Sequence, residues 1–147
     1  MPDLELRSRI YRHIVDTGAM PQLAELRLEV DDRDSLETRL RELHDAHMIV
    51  LDDRSDRLGE IRMALPFAAE PTNFRVETSG GAWWANCAWD SLAIAAALHQ
   101  DARISSTWRD TGDTFERNIV DGQLDDVAGL IEFQVPARRW WDNIVET

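Results

Sequence analysis

The sequence predicts an α+β protein, with an N-terminal winged-helix-like helical module packed on a mixed or antiparallel sheet domain. Residues 1–65 show three helical patterns followed by a two-stranded hairpin, an order typical of the winged-helix variant of helix-turn-helix. Residues 66–147 carry short strand patterns separated by turns, with one small-residue helix among them. We therefore expect two units that share a core in this chain of 147 residues.

Apolar spacing defines the elements of the N-terminal module. In "ELRSRIYRHIVDT", Leu6, Ile10 and Ile14 recur at helical spacing, and Gly18 is a natural stop. Pro21 opens a shorter helix, and "SLETRLRELHDAHMIV" predicts a third helix that is buried through its leucines. The strings "MIVLDD" and "GEIRMAL" then predict two strands joined by the turn "DDRSDRLG".

The second unit begins after the two-proline segment "PFAAEPT", which predicts a connector. "NFRVE" predicts a strand and "TSGGA" a turn, and the residues from Ala85 to about His99 predict a helix because Ala and Leu dominate there. "ARISSTW" and "TFERNIV" predict strands around the turn "RDTGD". "LIEFQVP" predicts a last strand, and "ARRWWDNIVET" predicts a short amphipathic end.

Charge and composition exclude several classes of protein. The net charge of −12 argues against a protein that binds nucleic acid in bulk, and the third helix is itself net acidic. A regulator that binds DNA through that helix is the weaker alternative. No apolar run is long enough to span a bilayer and the N-terminus lacks a signal core, so we expect a cytoplasmic protein without membrane contact. A single cysteine excludes an internal disulfide.

Cys87 and Asp90 are the candidate catalytic residues. A helix places residues three apart on one face, with Cys87 in the first turn, where free amides and the helix dipole favour a thiolate. Two anions coexist poorly in a low-dielectric pocket, so one of the pair should hold a proton. A thiolate that binds a soft electrophile, beside an acid that protonates the leaving group, suits covalent catalysis. The alternative is a small buried cysteine and a helix-capping aspartate.

Tryptophans flank this pair in the sequence and indicate an enclosed apolar substrate pocket. Trp83, Trp84 and Trp89 are expected to exclude water and to raise the pKa of the nearby carboxyl group by desolvation. The C-terminal pair Trp140 and Trp141 is a candidate lid over that pocket.

The string "WANCAWDSLAIAAAL" resembles the alkylmercury lyase (organomercurial lyase) family, in which a W-C-A-x-D-[ST]-L helix follows a winged-helix-like module. "ARISSTWRDTGDTFERNIV" is similar to the family's Ser-Ser segment and the strand after it, and the similarity extends over residues 64–145. Family members cleave carbon–mercury bonds: a thiolate captures the metal and an aspartate relays a proton to the leaving carbon. The resemblance implies that Cys87 is the nucleophile and soft-metal ligand, and that Asp90 is the proton carrier.

The sequence departs from the family at its other cysteines. The family's second catalytic cysteine follows the strand that resembles "LIEFQVP", and its further cysteine, after the Ser-Ser pair, is replaced by Trp108 or a neighbour. A serine cannot replace a soft thiolate, so Ser105 and Trp108 are expected to line the substrate pocket instead. The resemblance therefore implies an enzyme that needs a second thiol, from a partner chain or an added thiol.

Three functions remain open at this point. The first is an alkylmercury-lyase-like enzyme that acts on a small-molecule substrate without a bound cofactor. The second is the same scaffold working as a lyase, hydrolase or isomerase on a non-mercurial organic substrate, with Asp90 as general acid–base. The third is a non-enzymatic protein that binds a soft metal or an apolar ligand. The chain end after a strand also leaves a homodimer open.

Overall fold

The computed structural model describes residues 1–28, 33–108, 110–125 and 131–145. The helices are α1 (Leu4–Thr17), α2 (Leu23–Arg27), α3 (Arg33–Asp45) and α4 (Ala88–Leu98), with a 3-10 helix over Ala137–Asp142. The strands are β1 (Val50–Leu51), β2 (Ile61–Ala64), β3 (Phe67–Ala68), β4 (Phe74–Thr78), β5 (Gly81–Ala85), β6 (Ala102–Thr107), β7 (Thr114–Val120) and β8 (Gln123–Leu124).

These strands form one antiparallel sheet in the order β1-β2-β3-β5-β4-β6-β7-β8. Helices and an antiparallel sheet together make an α+β protein, as the sequence predicts. Three helices and the hairpin β1–β2 occur in the expected order, and the winged-helix assignment itself stays a prediction. Within the described residues, no helix has the length and apolar character needed to cross a membrane.

Helix α1 is fixed by a cap at each end and by an apolar face. The Asp3 carboxylate accepts hydrogen bonds from two first-turn amides at 3.0 and 2.9 Å. Gly18 ends the helix in the left-handed region, with φ at 75°. Leu6, Ile10 and Ile14 are buried, as their spacing predicts.

One apolar core joins the N-terminal helices to the sheet. Buried side chains of α1, α3, α4 and the strands belong to a single cluster, whose burial is the main driving force for folding. The Trp83 indole N–H on β5 donates to the Ile14 carbonyl at 2.8 Å and so ties the sheet to the last turn of α1. Strand β3 pairs with β2 on one side and β5 on the other, so the sheet is continuous across residues 65–66. The division into units 1–65 and 66–147 stays a prediction.

Helix α4 packs on β4, β5 and β6 and begins three residues after β5 ends. Ile94 and Ala95 are buried in the common core. The prediction that the helix starts at Ala85 is wrong, because Ala85 pairs with β3 and β4 in the sheet. Cys87 is therefore the N-cap residue of α4 and does not lie in its first turn.

Two further sequence predictions differ from the structure. The "PFAAEPT" segment contains the short strand β3 and is not only a connector. Residues 131–136 of "LIEFQVP" form no strand, while Leu130, like Arg109 of the predicted turn "RDTGD", lies outside the described residues. The Phe133 ring packs instead on Trp140, with ring centroids 5.0 Å apart. Phe133 thus has an aromatic neighbour in the C-terminal segment and no strand partner.

An ion pair between a buried carboxylate and a partly exposed arginine anchors the loop between β1 and β2. Asp52 is 4% exposed, and its carboxylate accepts hydrogen bonds from the Arg54 Nε at 2.9 and 3.0 Å. Arg54 also donates to Glu70 at 2.9 Å and so joins the loop to the segment after β3. Hydrogen bonding from Arg54 outweighs burial and lowers the pKa of Asp52 from 3.8 to about 2.

We predict that Asp52 makes the fold sensitive to acid. Its pKa is lower in the folded state, so its contribution is present above about pH 4 and is lost as the pH falls toward about 2. Asp52→Asn should lower the free energy of unfolding at neutral pH by roughly 2 kcal/mol. The free energies of unfolding of wild type and variant should become equal as the pH approaches about 2. Urea unfolding between pH 2 and 7 measures this. Asp56→Asn, an exposed change in the same loop, is the control, and an equal loss at all pH values would contradict the prediction.

Candidate functional site

The site forms where strand β5 gives way to helix α4. Cys87 has extended backbone angles, with φ at −150° and ψ at 180°, and it caps the helix. Its Sγ accepts a hydrogen bond from the Asp90 amide at 3.5 Å, and the Trp89 amide also donates to it. The sulfur therefore faces the free amides of a helix N-terminus, where negative charge is stabilised.

The Cys87 thiol and the Asp90 carboxyl group are close enough for each to shift the pKa of the other. Burial raises the pKa of the Cys87 thiol, and the Asp90 charge adds to that rise, while the two helix amides oppose it. Burial also raises the pKa of Asp90, against hydrogen bonds from Asn86 and Cys87 that lower it. The pair is thus suited to hold one proton between a thiol and a carboxyl group.

Asn86 links this pair to the neighbouring strand. Its side-chain Nδ2 donates to the Asp90 Oδ2 at 3.2 Å and to the Pro66 carbonyl at 3.1 Å. Its Oδ1 is buried and has no hydrogen-bond partner among the described residues. The sequence does not indicate a role for Asn86, because its hydrogen-bond partner Pro66 lies in a segment that the sequence predicts to be a loop.

Tyr11 brings helix α1 to the same site. Its hydroxyl donates to the Leu65 carbonyl at 2.7 Å, and the Arg7 guanidinium lies 4.9 Å from the centroid of its ring. Burial raises the pKa of Tyr11, Arg7 opposes the rise, and the Asp90 charge adds to it. Asp90 is therefore close enough for its charge to act on Tyr11, a residue that spacing alone cannot distinguish from other helix residues.

The two tryptophans on β5 point to opposite faces of the sheet, because successive strand residues alternate. Trp83 faces the core, while Trp84 packs under the Arg75 guanidinium, 4.7 Å from its ring centroid. Ser105 is the register partner of Arg75 and shares that far face. Alternation therefore separates Trp84 and Ser105 from the face that α4 covers.

The two other predicted pocket tryptophans are exposed. Trp89 is 57% exposed and Trp108 is 51% exposed, with the Trp108 ring packed on Phe115. Trp89 lines a shallow groove with Trp140 and neighbouring residues of the C-terminal segment. The predicted substrate pocket around Cys87 stays a prediction.

The candidate lid residues also lie apart. Trp140 reaches the groove beside Trp89, whereas Trp141 stacks on His47 of the loop after α3, with ring centroids 3.9 Å apart. In the part of the chain that the structure describes, no group of three or more His, Cys, Asp or Glu side chains is placed to hold a metal ion. Soft-metal binding would therefore depend on Cys87 within these residues.

We predict that the Asp90 charge suppresses the reactivity of Cys87. Iodoacetamide reports on one site, because Cys87 is the only cysteine in the sequence. Asp90→Asn should raise the alkylation rate at mildly alkaline pH by about three- to tenfold, since removing the charge lowers the thiol pKa. Asp101→Asn, beyond the far end of α4, should leave the rate unchanged. An equal or slower rate for Asp90→Asn would contradict the assignment.

Comparison with known proteins identifies the family. The family model described as "MerB: Alkylmercury lyase" matches residues 67–147, which include β3 to β8, α4 and the C-terminal segment. No individual curated protein matches the chain significantly. A crystal structure of the mercury-bound form of MerB2 superposes with a TM-score of 0.61 at 22% identity. The likeness covers 85% of this chain and 60% of the other, and at this identity it shows the fold alone. Because the family model covers more than half of its residues, this chain belongs to the alkylmercury lyase family.

Proposed function

We propose that this chain cleaves the carbon–mercury bond of a small organomercurial, with Cys87 capturing the metal and Asp90 carrying the proton. The observation that carries the proposal is the placement of a partly desolvated thiol beside a partly desolvated carboxyl group at the N-terminus of α4, where the Asp90 amide donates to the Cys87 sulfur. Sulfur is a soft ligand suited to mercury, and a desolvated carboxyl group is a suitable proton donor near neutral pH.

The first step is capture of the substrate, written R–Hg–X. The Cys87 sulfur forms a bond to mercury, the Hg–X bond breaks, and X leaves with its electron pair. The thiol proton passes to the neighbouring Asp90 carboxylate, whose charge already acts on that thiol. The transfer removes the need for two adjacent anions in a low-dielectric site.

The second step is protonolysis. The C–Hg bond breaks with its electron pair on carbon, and that carbon takes the proton from Asp90 and leaves as R–H. Asp90 returns to the carboxylate form, and Hg(II) stays on Cys87. Burial raises the pKa of Asp90, which lets this residue hold the proton between the two steps.

Turnover requires a second thiol. The sequence contains one cysteine, so the second soft ligand of the product ion must come from outside the 147 residues. We assign that role to a low-molecular-weight thiol, which also removes Hg(II) from Cys87 by ligand exchange. Turnover should therefore depend on the concentration of added thiol.

The positions of Tyr11 and Trp89 support more specific roles for the N-terminal module and for substrate contact. The Tyr11 contact with the site favours an N-terminal module that serves as enzyme scaffold, because α1 forms part of the surroundings of Asp90. Trp89 is our proposal for a contact with the organic group of the substrate, since it lies between the two catalytic positions and lines an aromatic groove. We propose no substrate contact for Trp84, Ser105 or Trp108.

The test is an organomercurial assay with excess thiol, in which released hydrocarbon and bound mercury are both measured. Wild type should release hydrocarbon, and Cys87→Ser should abolish capture and release. Asp90→Asn should still bind one mercury per chain but should slow release by about 100-fold or more, the usual contribution of a positioned proton donor. Asp45→Asn, an exposed carboxylate at the end of α3, is the control. No release by wild type, or release unaffected by Asp90→Asn, would contradict the proposal.

A further inference from the structure

We propose that Asn86 is a positioning residue that holds the Asp90 carboxylate against the Cys87 thiol. The side-chain amide of Asn86 makes a hydrogen bond to each of two acceptors, the Asp90 Oδ2 at 3.2 Å and the Pro66 carbonyl at 3.1 Å. It thereby fixes the carboxylate relative to the sheet, whereas the thiol is fixed by the helix amides.

The register of the sheet determines this arrangement. Phe67 on β3 pairs with Ala85 on β5 in an antiparallel ladder. One step further along both strands, Pro66 comes opposite Asn86, so the Pro66 carbonyl and the Asn86 side chain are cross-strand neighbours. The preceding Leu65 carbonyl accepts the Tyr11 hydroxyl at 2.7 Å, which holds this segment against α1.

The Pro66 carbonyl also fixes which end of the amide faces Asp90. A carbonyl oxygen only accepts, so the NH2 end of Asn86 must point toward Pro66 and the carboxylate. The opposite end, Oδ1, is then left buried without a partner among the described residues. An unpaired buried acceptor costs free energy. The Asn86 amide nevertheless keeps this orientation, because only its NH2 end can donate the two hydrogen bonds to Pro66 and Asp90.

The test is a double-mutant cycle on Cys87 alkylation at one fixed pH. Asn86→Leu should speed alkylation of the wild type by about two- to fivefold, because a carboxylate without its anchor no longer retains the thiol proton. In an Asp90→Asn background, Asn86→Leu should have no further effect. Asn86→Ala, which removes the amide without adding bulk beside Pro66, should repeat both results.

The matched control is Asn118→Leu, because Asn118 donates to the Asp125 carboxylate on the far strands of the sheet. This variant should leave alkylation unchanged in both backgrounds. If the Asn86 variants accelerate alkylation equally with and without Asp90, the residue acts by general loosening and the positioning role is wrong. No acceleration in the wild-type background would also overturn it.

The consequence for turnover rests on the proposed function. In the organomercurial assay, Asn86→Leu should lower kcat for hydrocarbon release while KM stays near that of wild type. During capture the thiol proton can pass to solvent instead of to Asp90, whereas protonolysis requires a carboxyl group held in place. The alkylation cycle uses no mercury. A positive cycle without hydrocarbon release by wild type would therefore reject the lyase proposal and leave the positioning role in place.

Discussion

The pairing of the Cys87 thiol with the Asp90 carboxyl group depends on an abrupt change from strand to helix. Strand β5 ends at Ala85 and α4 begins at Ala88, so only two residues make the transition. The extended conformation of Cys87 turns its sulfur toward the first amides of the helix, and the first turn then brings Asp90 back to the same point. Had the helix begun three residues earlier, the sulfur would have lost its N-cap position.

Packing elsewhere in the fold holds this junction in place. Trp83 anchors β5 to the end of α1, and β3 fixes the residue opposite Asn86. The ion pair of buried Asp52 with Arg54, together with Glu70, then secures the loops on either side of β2 and β3. The N-terminal helices thus do more than add stability, since Tyr11 of α1 reaches the carbonyl next to Pro66. The chemistry of one short junction therefore depends on contacts from both halves of the chain.

The sequence predicts the elements whose apolar periodicity extends over several residues. It predicts α1 and α3 through their buried leucines and isoleucines, and it predicts β4, β6 and β7 through runs that match the observed strands. It also predicts that Cys87 and Asp90 lie near each other, but their proximity arises from an N-cap residue and the third residue of the helix, and not from one helical face. The sequence does not predict strand β3, because a pattern of two residues is too short to distinguish a strand from a loop.

The predicted tryptophan pocket depends on the direction in which each side chain points, and local sequence patterns do not give that direction. Trp83 and Trp84 lie on strand β5 and point to opposite faces, but the sequence predicts a turn in "TSGGA" and no strand before the helix, so this alternation is not predicted. The strand expected in "LIEFQVP" differs for another reason, since Phe133 is covered by Trp140 and not by a sheet. The Asn86 anchor depends on strand pairing across 20 residues, which no single-sequence pattern reveals.

The most direct test of the central claim is the infrared S–H stretch of Cys87, which is unique because the chain has one cysteine. A protonated thiol that donates to Asp90 predicts an S–H band at neutral pH, at a lower frequency than that of a free thiol. Asp90→Asn should shift the band to higher frequency, and Cys87→Ser should remove it. If the wild type shows no S–H band, or if the band does not respond to Asp90→Asn, the Cys87 thiol does not donate to Asp90 and the central claim is wrong.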